Sequence, residues 1–114
     1  MPLQEKVFTL GNIVAGHFSL DYNTTPVLIT NEDDTDLTIN AGDPLTATGI
    51  AEDATGLLGL ATEFRIIPAG ETDEVMVLDF NFGFGVRLNE SMLPATITST
   101  IRTALIGKGF KFLS

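Results

Sequence analysis

Three polar side chains near the amino-terminal end, those of His17, Ser19 and Asp21, are the residue types of a hydrolase triad. Their spacing of two residues would place all three on one face of a strand, pointing the same way and without the mutual geometry of a triad. His17 is the only histidine, and the sequence has no Gly-X-Ser-X-Gly nucleophile elbow. We therefore expect no catalysis and do not predict an enzyme.

A second candidate for chemistry is the acidic segment 31–36, NEDDTD, because oxygen-rich loops can bind calcium. The segment does not have the EF-hand spacing, since neither the glycine at the sixth position nor the bidentate glutamate at the twelfth is in place. The favoured interpretation is a solvated loop between strands, with cation binding as the alternative. No metal and no cofactor is predicted.

The glycines of the segment GFGVRL resemble part of a phosphate-binding Gly-X-Gly-X-X-Gly motif, but its third position is Leu88. The segment also lies inside a strand pattern and not at a strand-to-helix turn. Gly83 and Gly85 are better explained by a bend or by a close approach of another part of the protein. The acidic residues 71–74 occur in a predicted turn and suit a solubilising role before an aggregation-prone strand.

Composition favours a single domain with part of its surface covered by a partner chain. The chain has 114 residues, of which 44% are hydrophobic and only 18% are charged, against about 25% charged in typical domains. Its mean hydropathy is +0.27. A small domain with few charges and much apolar surface often buries some of that surface in an oligomer or against another subunit.

Charge argues against two classes of partner. Fifteen acidic residues against six Lys and Arg give a net charge of −9, which repels phosphate backbones and anionic membranes. The basic residues are scattered along the sequence and form no stripe, so no nucleic-acid and no membrane partner is predicted. The amino-terminal segment has no signal-peptide pattern, and no apolar run is long enough to span a bilayer. Cysteine does not occur, which agrees with a reducing cytoplasm.

The elements that follow from hydrophobic patterning are mostly strands. Residues 1–12 are predicted to form an extended arm, in which Val7, Phe8, Thr9 and Leu10 could add an edge strand. The strongest β pattern is EVMVLDFNFGFGVRL, expected to form one strand of about 15 residues with a bend at Gly83 or Gly85. Its Phe and Val face is expected to pack into the domain's own core, and a second face is expected to pack between subunits. The candidate subunit-packing residues of this strand are Phe80, Phe82, Gly83, Phe84 and Gly85.

One helix is predicted near the carboxyl end, since Ile97, Ile101 and Leu105 recur every four residues. Ser91 or Thr96 is expected to cap its start and Gly107 to occupy the C′ position. Phe110 and Phe112 then alternate in a last short strand. The predicted fold class is α+β, mostly β: residues 13–114 form one compact β-rich domain, a sandwich or partial barrel, with a C-terminal helix and an extended N-terminal arm.

Several short motifs follow one another along the chain. An early Ala15-Gly16 is followed by Gly49-Ile50-Ala51 with acidic residues after it. A valine-rich strand leads to Asn89-Glu90, and a terminal helix closes on Lys108-Gly109-Phe110. In this order the motifs resemble the phage head decoration protein family, the small capsid-stabilising proteins of lambda-like phages. The likeness extends over most of the chain.

The resemblance implies a β-rich homotrimer on the outer surface of a virion capsid, assembled in the host cytoplasm, with the major capsid protein as partner. It also implies that the arm becomes ordered on the shell, where we expect it to add a strand to a coat-protein sheet. One alternative is another phage structural component, from a tail or head fibre. The other is a surface adhesion module, although such modules usually present Trp or Tyr platforms, and this sequence has no Trp and one Tyr.

Overall fold

The protein, analysed as a computed structural model, is described over residues 14–16, 24–83 and 86–113. The strands are β1 (Val14–Gly16), β2 (Thr24–Thr30), β3 (Leu37–Ile39), β4 (Pro44–Thr46), β5 (Gly49–Ile50), β6 (Gly59–Ala61), β7 (Arg65–Ile67), β8 (Thr72–Asp79), β9 (Arg87–Asn89) and β10 (Lys111–Leu113). The helices among these described residues are α1 (Ser99–Gly107) and two 3-10 turns, Phe80–Phe82 and Glu90–Met92. The predicted fold class, α+β and mostly β, is confirmed. The arm, residues 1–12, lies outside the described residues, as do His17, Ser19, Asp21, Phe84 and Gly85.

The strands form three sheets. The largest is antiparallel throughout, with the strand order β2-β8-β6-β4-β5. A second sheet has the order β1-β9-β10, in which β9 is antiparallel to β1 and parallel to β10. The strands β3 and β7 form an antiparallel pair of their own. Pro26 lies within β2, an edge strand of the large sheet, where a residue without an N–H is tolerated.

The large sheet carries a hydrophobic core on each face. Because side chains alternate along a strand, β8 directs Val75 and Val77 to one face and Leu78 to the other. Leu78 lies opposite Leu60 of β6, and both belong to a first core that also contains the buried residues of β9 and α1. Val77 lies opposite Ala61, and both belong to a second core that includes Ile39 of β3 and Ile67 of β7. The sheet is therefore a middle layer between α1 and the sheet of β9 on one side and the β3–β7 pair on the other.

The long strand predicted from the alternating phenylalanines is wrong, since β8 ends at Asp79. The Asp79 carboxylate accepts a hydrogen bond from the Asn81 backbone N–H at 2.8 Å and caps the 3-10 turn Phe80–Phe82. Among the described residues after Asp79, the next strand begins at Arg87 and belongs to a different sheet. Phe80 therefore packs, half-buried, against the first core and does not line a continuous strand face. The short side chain of Asp79 bonds the nearby backbone, and the strand ends here although the alternation of apolar residues continues.

The predicted helix is present but starts and ends later than expected. Its N-cap is Thr98, whose hydroxyl oxygen accepts a hydrogen bond from the Ile101 N–H. Gly107 is the last helical residue, and the C′ position belongs to Gly109, with φ +101°. The N–H of Gly109 bonds the Ile106 carbonyl and that of Phe110 bonds the Leu105 carbonyl, which is a Schellman closure. Ile101 and Leu105 are buried in the first core and Ile97 packs against it, as their spacing predicts.

The segment before α1 is tied to the large sheet by a buried carboxylate. Asp43, only 2% exposed, accepts a hydrogen bond from the Asn40 N–H through Oδ2 and one from the Thr96 hydroxyl through Oδ1, at 2.8 and 2.7 Å. The Asp43 carbonyl also accepts a bond from the N–H of Ala61 in β6. Thr96, a candidate helix cap in the sequence, instead joins two parts of the chain that are 53 residues apart.

The Schellman closure places an aromatic ring directly against a glycine. Phe110, 2% exposed, lies so close to Gly83 that a Cβ at residue 83 would fall 2.0 Å from the Phe110 ring. Gly83 itself has an ordinary helical φ of −83°, so space and not backbone conformation requires a glycine. A close approach at Gly83 therefore exists within the chain.

We expect Gly83→Ala to destabilise the fold by about 2 kcal/mol, because the new methyl group overpacks a closed core. Denaturant unfolding would measure the loss. Gly107→Ala is the matched control: no atom lies within 4 Å of the added methyl group, and alanine favours a helix by up to about 1 kcal/mol. Equal stability of wild type and Gly83→Ala would contradict the packing assigned to Phe110.

Candidate functional site

The acidic loop is shaped by a buried amide. Asn31, 2% exposed, donates from Nδ2 to the carbonyls of Thr35 and Ile67 at 2.8 and 2.9 Å, and its Oδ1 accepts from the Asp33 N–H. The loop's carboxylates are all exposed. Among the residues that the structure describes, no three His, Cys, Asp or Glu side chains are grouped so that they could hold a metal ion. Exposed apolar side chains form two other surfaces among the described residues.

The first such surface lies on the large sheet and is called the sheet patch. It consists of side chains on one face of the β2–β8 pair, namely Pro26, Leu28, Thr72, Glu74 and Met76. Pro26 lies opposite Met76 and Leu28 opposite Glu74, so the four side chains are immediate neighbours. Leu28 is 66% exposed and Met76 is 39% exposed. The patch is thus an apolar surface with a carboxylate beside it.

The sheet patch is open because the layer above it covers only part of the sheet face. Leu78 lies on the same face as Met76, two residues further along β8, and is fully buried in the first core. At the other end, the hydroxyls of Thr30 and Thr72 bond each other at 2.8 Å in an exposed pair. The first core therefore ends between Leu78 and Met76, and the remainder of this face has no cover among the described residues.

The second surface is a groove between α1 and β10, called the helix groove. Its volume is about 550 Å³, and its lining includes Arg102, Ile106, Lys111, Phe112 and Leu113. Ile106 is 54% and Leu113 is 41% exposed. Arg102 and Phe112 separate it from a smaller hollow of about 160 Å³ that reaches Ile97 and Pro94. The groove combines an apolar floor with cationic side chains.

Arg102 is held in place on this wall by two interactions. Its guanidinium forms a two-pronged ion pair with Glu90, and its Cζ lies 4.7 Å from the centroid of the Phe112 ring. The hydrogen bonds from Arg102 lower the pKa of the Glu90 carboxyl and raise the pKa of the guanidinium. Stacking on an aromatic face and a bidentate carboxylate contact are both properties of Arg that Lys does not share. The pair therefore fixes the shape of the groove edge.

A second ion-paired arginine lies on β7. Arg65 bonds Asp73 at 3.1 Å and Glu63 at 2.6 Å. The pKa of Asp73 is lowered, first by the Glu74 backbone N–H, which donates to its carboxylate, and then by Arg65. Both carboxylates lie in the negatively charged part of the chain, so Arg65 offsets only a small share of that charge.

The structure brings together only part of the predicted site. Among the subunit-packing residues, Phe80 packs against the chain's own first core, and Gly83 lies against Phe110 of that core. Phe82 lies in the 3-10 turn, and Phe84 and Gly85 lie outside the described residues. The arm residues Val7, Phe8, Thr9 and Leu10 also lie outside them. The surfaces that sequence reasoning missed are those of Leu28 and Ile106. A signal for Leu28 existed, since three consecutive apolar residues in the strand VLI must place one of them on the opposite face from the other two.

We expect acid to weaken the contribution of the Glu90–Arg102 pair to stability. The folded-state pKa of Glu90 lies below its ordinary value of 4.5, so the stabilisation is complete above that value and is lost as the pH falls through the folded-state pKa. Denaturant unfolding of wild type and Glu90→Gln between pH 7 and pH 3 would show a difference that shrinks in acid. Arg102→Met is the matched control and should remove the same pH-dependent part; an undiminished difference at pH 3 would contradict the assignment.

Comparisons with protein-family models, with curated proteins and with solved structures find no match. Within the described ranges, no helix is long and apolar enough to cross a membrane.

Proposed function

We propose that this chain is a capsid decoration protein, which binds the outer surface of a phage head as a homotrimer and stabilises the shell. The observation that carries the proposal is the pair of exposed apolar surfaces, the sheet patch and the helix groove, on a small domain with few charges. Large apolar side chains grouped on a surface mark contacts with other proteins. The ordered short motifs that resemble the decoration family supply the identity of the partner.

The proposed role does not need an active site, because a decoration protein would stabilise the shell through the surface that it buries against its neighbours. A domain of this size is only marginally stable by itself, with a free energy of unfolding of about 5–15 kcal/mol. Binding to a folded partner adds stability by mass action. On a shell, where many copies occupy equivalent positions, weak contacts between neighbours combine by avidity. The shell then resists internal pressure through the sum of many modest interfaces.

The proposed contact with the coat protein runs through residues 1–12. An extended segment that adds a strand to a sheet edge gains main-chain hydrogen bonds, and it loses conformational freedom only on binding. In this chain, three of residues 7–10 are apolar, namely Val7, Phe8 and Leu10. A strand formed by this segment would present these side chains to pockets on the coat protein. The arm would thus attach the trimer, while the folded domain supplies the contacts between copies.

The proposal predicts that the purified chain co-sediments with empty phage heads. The heads should be assembled from the coat protein encoded beside this chain's gene, since the two are expected to be neighbours. The expected result is saturable binding and heads that withstand a higher temperature before they rupture. Binding to isolated tails or to immobilised glycans, with none to heads, would instead favour the tail or adhesion alternatives and overturn this proposal.

Deletion of residues 2–10 is expected to reduce head binding by at least tenfold while the domain keeps its fold. The reason is that the arm would provide the main-chain contacts to the coat protein. Co-sedimentation measures binding, and circular dichroism with thermal unfolding checks the domain. A matched control is Phe64→Ser, which changes an exposed apolar side chain of the domain and should bind heads as wild type does. Undiminished binding of the deleted chain would remove the docking role of the arm.

A further inference from the structure

We propose that copies of this chain associate head to tail, with the sheet patch of one copy seated on the helix groove of the next. The number of copies in the assembly, which is three, comes from the proposed function, and in this respect the proposal rests on that function. It names the two surfaces that would meet, and these lie on different elements: the β2–β8 pair and the α1–β10 pair. Its basis is that both surfaces are apolar at the centre and opposite in charge.

Although the basic residues form no contiguous stripe, four of the six lie in one carboxyl-terminal segment, so charge is divided unevenly along the chain. Residues 86–113, which contain β9, α1 and β10, carry four basic residues, Arg87, Arg102, Lys108 and Lys111, and a single acidic one, Glu90. The other residues carry fourteen acidic side chains and two basic ones. A chain of net charge −9 therefore contains a segment of net charge +3. Such an asymmetry favours a partner surface of opposite sign.

The helix groove lies within the positive segment. The ion pairs among the described residues involve only Arg65 and Arg102, so the charges of Arg87, Lys108 and Lys111 are not offset by a carboxylate there. Lys111 lines the groove and lies opposite Arg87 in the register of β9 and β10. Lys108 is exposed just after α1, with its Nζ 3.2 Å from Asn81 Oδ1. The groove thus has an apolar floor with one unpaired cation among the described residues, Lys111, in its lining, and Arg87 and Lys108 add positive charge in the same segment.

The sheet patch lies within the negative part. Glu74 belongs to it, and Glu71 directly precedes β8. The acidic loop is joined to the same end of the sheet, because the Asn31 N–H bonds the Glu71 carbonyl and the Gly70 N–H bonds the Asn31 carbonyl. Residues 24–36 and 71–76 together carry seven acidic side chains and no basic one. Leu28 and Met76 therefore present an apolar centre beside a strongly negative rim.

These charges exclude a symmetric pairing of either surface with itself. A twofold interface joins the same patch on both subunits, so it would bring two negative rims or two positive edges together. A contact between unlike surfaces puts opposite charges together and buries Leu28 and Met76 against Ile106 and Leu113. Charges at the rim set orientation and association rate, while the apolar centre holds the complex together. Contacts between unlike surfaces close into a ring when the rotation from one copy to the next closes, as the proposed trimer requires.

A complementation experiment tests the arrangement. Leu28→Asp disrupts the sheet patch and leaves the helix groove intact. Conversely, Ile106→Asp disrupts the helix groove and leaves the sheet patch intact. Both side chains are more than half exposed, so the monomer should fold. Each variant alone is expected to associate at least tenfold more weakly than wild type. Because the two intact surfaces can still meet, an equimolar mixture should form a 1:1 heterodimer and stop there, as native mass spectrometry would measure.

The matched control is Ile66→Asp, which changes an exposed apolar residue on the outer face of the β3–β7 pair. It should assemble like wild type. The proposal is overturned if wild type stays monomeric, if only one of the two variants loses association, or if the mixture yields no heterodimer. Head co-sedimentation separates the two proposals: a monomer that binds heads refutes this inference alone, and a head-to-tail oligomer that ignores heads refutes the decoration function alone.

Discussion

The fold depends on one constraint, which is that β8 and β6 must be covered on both faces. Their alternating residues supply two separate cores, with Leu60 and Leu78 on one face and Ala61 and Val77 on the other. A strand pair that is apolar on both sides has no face to leave in water, so a layer has to form above and below it. The β3–β7 pair covers one side, and α1 with the sheet of β9 covers the other.

The covering layers are short, and this explains where the exposed apolar residues occur. The layer containing α1 covers the β8 face as far as Leu78 and leaves Met76 and the neighbouring Leu28 in solvent. The same helix buries Ile101 and Leu105 and turns Ile106 outward beside β10. In a chain of 114 residues, the surface available for burial exceeds what a single small domain can cover. The proposed association between copies would bury this remainder.

The helix layer is positioned by contacts that are far apart in sequence. Asp43 holds Thr96, just before α1, and Gly83 admits the Phe110 ring just after it. A buried carboxylate that accepts two hydrogen bonds stabilises the site only while both donors stay in place. Each end of the helix is therefore tied to a different part of the chain, which compensates for a helix that is rich in threonine and weak in intrinsic propensity.

Much of the local structure followed from pattern. The β-rich class with one late helix and the buried positions Ile101 and Leu105 can be read from periodicity. The ends of elements are less predictable. The alternating pattern predicts Asp79 as one polar position of a continuing strand, yet it caps a 3-10 turn. Thr96 and Gly107 have the right residue types for helix caps, but Thr98 and Gly109 hold those positions.

What the sequence determined by itself was the class of fold, the apolar excess and the division of charge, since these depend on composition and on neighbours along the chain. What only the tertiary structure decided was which apolar residues stay uncovered. Leu28 and Ile29 are adjacent and equally apolar, yet Leu28 is 66% exposed and Ile29 is fully buried. The difference arises because the β3–β7 pair covers one face of β2, whereas the layer containing α1 ends before it reaches the other.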